Sequence, residues 1–162
     1  MNQNSFSKKE KIKQVLAHPW CFRIVRWLMA ALFIYASIDK ILHPAGFAES
    51  IYNYQILPNI LIPPAALMLP WVELLVGILL IAGFWLPGAI GLLNLLLLTF
   101  FSALLFNTIR GLNVDCGCFI SGGGLVDRTT MLLYLLRDGS FLLVGFYLAG
   151  YLVMLERVKV RT

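Results

Sequence analysis

The chain has 162 residues, 60% of them hydrophobic and 13% charged, with a net charge of +5 and a mean hydropathy of +0.83. Soluble domains carry roughly 45–50% apolar and about 25% charged residues, and a chain this short cannot hide such an excess in one core. The composition excludes a large soluble catalytic domain, a disordered chain and a disulfide-stapled secreted module, and it describes an all-α integral membrane protein.

The chain opens on a basic segment, 1–23, holding Lys8, Lys9, Lys11, Lys13 and Arg23, with Arg26 close behind. A bilayer core of about 30 Å needs about 20 apolar residues to cross it, and four segments qualify: 24–42, 65–86, 88–109 and 131–155. The first is long enough to span, so it reads as an uncleaved anchor and not as a signal peptide. The connection 43–64 follows, then the second span, and then the tight turn Leu86-Pro87-Gly88, which carries both helix breakers. The third span leads into the connection 110–130, and the fourth ends in a basic tail, 156–162, with Arg157, Lys159 and Arg161. Short links favour an antiparallel four-transmembrane-helix bundle, a single membrane domain over 24–155.

Basic residues flanking spans set orientation and contact anionic headgroups. They predict both termini in the cytoplasm and the two longer connections outside. No basic stripe interleaved with aromatics points to nucleic acid. Membrane lipids are the expected surroundings, and Gly77, Gly83, Gly88 and Gly91 suit helix packing within one subunit or in a homo- or hetero-oligomer.

Polar residues collect in the outer half of the spans. The first ends with Ser37, Asp39, Lys40 and His43, the second carries Trp71 and Glu73, the third ends with Asn107 and Arg110, and the fourth carries Arg137 and Asp138. A charge at mid-membrane costs roughly 2.5–3.5 kcal/mol on insertion scales, so such groups pair inside the bundle, and these are expected to converge. They would form either a pocket and proton relay or a structural lock in which Arg137 and Asp138 pair with Glu73 and Lys40. Lys40 snorkelling to headgroups, Asp39 at the water boundary and Trp71 as an interfacial anchor are the plainer readings. Pro70, Glu73 and Gly77 recur at i, i+3 and i+7 and share one helix face. Pro70 would kink the helix and make room for a polar pocket, and Gly77 would permit close packing.

Of three cysteines, Cys21 is expected to be buried in apolar surroundings, a membrane thickness from the other two. Cys116 and Cys118 flank Gly117 on the oxidising side. A disulfide across one residue is strained, and strain makes such a bond labile. Asp115 would accept a thiol proton and Arg110 would favour the thiolate. Three readings stand on this spacing: a redox pair, a soft-metal (copper or mercury) carrier and a static bridge. No other set of metal ligands is evident.

Several separated stretches resemble a known family: YASIDKILHP (35–44), IYNY (51–54), LPWVEL (69–74), RGL (110–112), DCGCF (115–119) and LRD (136–138). In this order, over about 24–150, they resemble the DoxX-like membrane proteins and, within them, the MauE methylamine-utilisation branch. The resemblance implies a four-helix membrane bundle similar in outline to vitamin K epoxide reductase. It also implies extracytoplasmic thiol–disulfide chemistry serving a thioredoxin-like partner, with quinone as the linked electron carrier and no covalent cofactor. Unlike vitamin K epoxide reductase, the chain has no Cys-x-x-Cys within a helix, so Cys116 and Cys118 would do the redox work alone.

The leading expectation is therefore a thiol–disulfide oxidoreductase. Cys116, Cys118, Asp115 and Arg110 would do the exchange, and a quinone would be held near Trp71, Glu73, His43 and Arg137. The alternative is a non-catalytic scaffold or assembly subunit in which Asp39, Glu73, Arg137 and Asp138 form an ion network.

Overall fold

A computed structural model describes residues 18–111 and 128–161. The elements run α1 (Pro19–Leu42), α2 (Pro44–Tyr54), a 3-10 turn (Asn59–Leu61), α3 (Ile62–Ala82), α4 (Leu86–Ile109) and α5 (Arg128–Arg161). Four of these helical stretches are long and apolar enough to cross a membrane: Pro19–Leu42, Asn59–Ala82, Leu86–Ile109 and Thr130–Leu155. Large apolar side chains such as Leu67, Leu75, Ile78, Leu95, Leu98 and Leu143 point outward, as they must when the solvent around the bundle is lipid.

Prolines start the helices. Pro19, Pro44, Pro63 and Pro87 each occupy the first turn of their helix, where the missing N–H has no intrahelical partner to lose. Pro19 moves the start of α1 five residues ahead of the expected position 24. Pro44 has a second effect, because the residue before a proline is driven out of the helical region. His43 accordingly sits at φ −123° and ψ 59°, and the chain breaks there between α1 and α2. The connection expected over 43–64 is thus mostly helical, with α2 followed by the 3-10 turn. Pro70 lies buried within α3, which continues through it to Ala82.

The spans pack as two antiparallel pairs, α1 with α3 and α4 with α5, joined by the α3–α4 hairpin and by α1 against α5. In the first pair the order is set by Gly77, where a Cβ would lie 2.6 Å from Ile34 Cγ1 and 3.2 Å from the Ala30 carbonyl oxygen. In the second, the Asn94 amide donates to the carbonyls of Ile90 (2.8 Å) and, across the interface, Gly145 (3.0 Å). A Cβ on Gly145 would stand 2.7 Å from the Asn94 Oδ1. The core between the pairs is built from Met29, Ala30, Val76, Leu80, Ile90, Leu93 and Leu148.

At the hairpin end, α3 stops at Gly83 with φ +72°, and a Cβ there would be 3.1 Å from Arg26 Nη1. A guanidinium at this position complements the negative end of the helix dipole. Cys21, at the same end of the bundle, is half-buried and free of any disulfide. It sits beside the Tyr147 hydroxyl, so its surroundings are more polar than the buried apolar site expected for it.

Gly77→Val inserts bulk into a contact already closed. It is expected to destabilise the bundle by about 1–3 kcal/mol, as overpacking does, measured by reversible unfolding in mixed micelles. Gly91, with nothing within 4 Å of an added Cβ, is the control, and Gly91→Ala should leave stability unchanged or raise it.

Candidate functional site

The polar residues of three spans do meet. The Lys40 ammonium, near the end of α1, donates to both carboxylate oxygens of Glu73 on α3, at 2.7 and 2.8 Å. Both side chains are 3% exposed. The ammonium also lies 4.9 Å from the ring centroids of Phe47 on α2 and Phe100 on α4. Two ring faces, each an electron-rich partner for a cation, thus flank a charge that the carboxylate neutralises. The snorkelling reading of Lys40 is wrong for this fold, because the side chain turns inward under α2.

Asp138 of α5 joins the same region. Its Oδ1 accepts a hydrogen bond from Arg137 Nε at 2.9 Å, and Lys40 is close enough for its charge to act on the Asp138 carboxylate. Lys40, Glu73 and Asp138 line one cavity of about 50 Å³, together with Phe33, Phe100 and Phe141. All four spans contribute to that cavity, with α4 supplying Leu97 and Phe100 and no charge. The expected lock takes a different pairing: Lys40 with Glu73, and Arg137 with its own neighbour Asp138.

The remaining site candidates lie elsewhere. Trp71 is 60% exposed, since two residues along a helix from Glu73 means about 200° around it. His43 is exposed and contacts Asp39, with its Nδ1 3.5 Å from the carboxylate and 3.2 Å from the backbone oxygen. Arg110 is exposed, with its guanidinium 5.3 Å from the Phe106 ring centroid. Arg137 lies over the Tyr134 ring at 5.1 Å. Cys116, Cys118 and Asp115 lie outside the described residues, in the segment linking α4 to α5. Among the described residues no group of three His, Cys, Asp or Glu could hold a metal ion.

Trp71, His43 and Glu73 therefore do not surround one space, and the cavity beside Glu73 is far below the ~300–1,000 Å³ of organic-ligand pockets. That cavity does not fit a quinone head group. Two contributors were not anticipated, Phe47 and Phe100, and neither carries a signal beyond being an aromatic in an apolar run. Asn107 is fully buried, and neither of its amide atoms has a partner among the described residues.

A family model described as methylamine utilisation protein MauE matches residues 18–154. The chain belongs to the MauE family. It is 33% identical over 142 residues to the methylamine utilization protein MauE of Methylorubrum extorquens, covering 87% of this chain and 75% of that one. It is 35% identical over 109 residues to the MauE protein of Paracoccus denitrificans, covering 66% of this chain and 58% of that relative's length. No solved structure matches the chain. The MauE match extends over all four spans, and the chain is a multi-pass membrane protein.

Removing one partner of a buried ion pair strands the other charge, at a cost of about 3–5 kcal/mol, whereas replacing both with apolar groups is often close to neutral. Glu73→Gln is expected to destabilise this MauE-family chain by that amount, and the double variant Lys40→Met, Glu73→Leu by much less. Unfolding in mixed micelles distinguishes the two.

Proposed function

We propose that this protein serves methylamine utilisation from the bacterial inner membrane, as a thiol–disulfide exchange component whose Cys116 and Cys118 face the extracytoplasmic side. The observation that carries the reading is the MauE match over 18–154, which includes the Cys-Gly-Cys segment. Orientation follows from the basic tails, 1–23 and 156–162, which favour the cytoplasm. The described bundle holds α4 and α5 in fixed register through Asn94 and Gly145, and thereby fixes the two ends between which that segment is suspended.

The exchange balances between two proteins. A thiolate of the pair attacks a disulfide of a thioredoxin-like partner, a mixed disulfide forms and the partner's first thiolate leaves. The second cysteine of the pair then displaces the other partner sulfur. Two electrons pass to the partner, and Cys116 and Cys118 end joined. The same steps in reverse reduce the pair. Asp115 takes the proton from the attacking thiol, and Arg110 steadies the thiolate.

A second reading, a membrane scaffold for assembly of other proteins, is favoured by the Lys40–Glu73 pair. That pair ties α1 to α3 inside the bundle and reads as a fastening.

The redox reading predicts that Cys116→Ser and Cys118→Ser each abolish growth on methylamine and shift the redox state of an extracytoplasmic thioredoxin-like protein, followed by alkylation with a mass tag. Cys21→Ser should change neither. Retained growth in the Cys116→Ser, Cys118→Ser double variant, with membrane levels intact, would remove the redox reading and leave the scaffold.

A further inference from the structure

The three ionisable groups at the cavity are not equivalent. Glu73 uses both oxygens on Lys40, at 2.7 and 2.8 Å, and the ammonium is flanked by Phe47 and Phe100. This pair satisfies its own charges and leaves one Lys40 N–H and the outer Glu73 lone pairs for a neighbour. Asp138 is different: its side chain is nine-tenths buried, yet its one hydrogen bond among the described residues is at Oδ1, from Arg137. A carboxylate offers about four lone-pair sites, and buried polar groups left without partners are costly enough to be rare. The remaining capacity of Asp138 borders the cavity of about 50 Å³. A single water needs roughly 10–15 Å³ of such space and two to four polar partners, and Asp138, Lys40 and Glu73 supply them.

We propose that this cavity is a water site within the membrane, and that Asp138 is its proton-exchanging acid while Lys40–Glu73 is a fixed lock. The charged groups facing Asp138 are Lys40 from α1, Glu73 from α3 and Arg137 from α5; α4 presents Leu97 and Phe100. Phe33, Phe100 and Phe141 are among the apolar side chains that line the rest of the cavity, and its small volume limits the water to a few molecules. Protonation changes Asp138 from acceptor to donor toward that water, and the proton moves between the carboxyl oxygen and the water oxygen. This inference does not depend on the cysteine pair, and its readout uses no partner protein.

Infrared spectroscopy of the full chain in lipid nanodiscs tests it, with a pH titration in H2O and again in D2O. A protonated-carboxyl stretch is expected that titrates and downshifts in D2O. It should be lost in Asp138→Asn, move in frequency in Asp138→Glu, and persist in Cys21→Ser. The Asp138→Glu variant keeps an acid in place, so the assignment survives a folding defect in Asp138→Asn. A band that persists unchanged in both Asp138 variants would overturn the proposal. So would an Asp138 band insensitive to D2O, or no titrating band at all.

Discussion

A charge inside a bilayer has no water to solvate it, and every feature around Lys40 and Glu73 answers that constraint. The ammonium needs its carboxylate at hydrogen-bond distance, so α1 and α3 must come close, and Gly77 lets them do so one turn deeper, against Ala30 and Ile34. The pair also needs cover from the membrane boundary. The break at His43 and Pro44 turns the chain into α2, which lays Phe47 over the ammonium. Phe100 closes the opposite side from α4. One electrostatic requirement thus accounts for the contact between two spans, for the short helix at their end and for an aromatic on a third.

The second pair of spans is held by other means. Asn94 binds α5 through the Gly145 carbonyl, a polar fastening without net charge, for which a small residue opposite is needed. The difference suits the two halves of the molecule. The α1–α3 half surrounds a fixed ion pair, whereas α4 and α5 bracket the segment that carries Cys116 and Cys118. Asp138 stands where the halves meet, on α5 but facing Lys40 and the cavity. Among the described residues, Asp138 is a buried acid with a single hydrogen bond beside water-sized space.

The membrane class and the four spans were legible because composition and apolar run length are set by bilayer thickness alone. Helix ends were less legible. Proline can open a helix as readily as end one, so α1 begins earlier than its apolar run, and α2 lay hidden in a stretch containing Pro44 and Gly46. Convergence of Lys40, Glu73 and Asp138 could be anticipated from cost, since charges at such depth must find partners. Their pairing could not, because Lys40 and Glu73 are 33 residues apart and contact depends on helix rotation. Trp71 shows the same point in reverse. Proximity in sequence to Glu73 suggested a shared pocket, but the helical turn sends it to the lipid. The cysteine chemistry rests on sequence and family, since Cys116 and Cys118 lie outside the described residues.

The most direct test of this account is the distance between Lys40 and Glu73 in a bilayer. Solid-state NMR on protein carrying 15N-lysine and 13C-glutamate measures the dipolar coupling from Nζ to the side-chain carboxyl carbon, with Lys40→Met to assign the signal. A strong coupling, matching direct contact and absent in Lys40→Met, is the predicted result. A Lys40 ammonium with no coupling to any glutamate, at headgroup depth and open to solvent exchange, would contradict the buried pair and the packing of α1, α2 and α3 built around it.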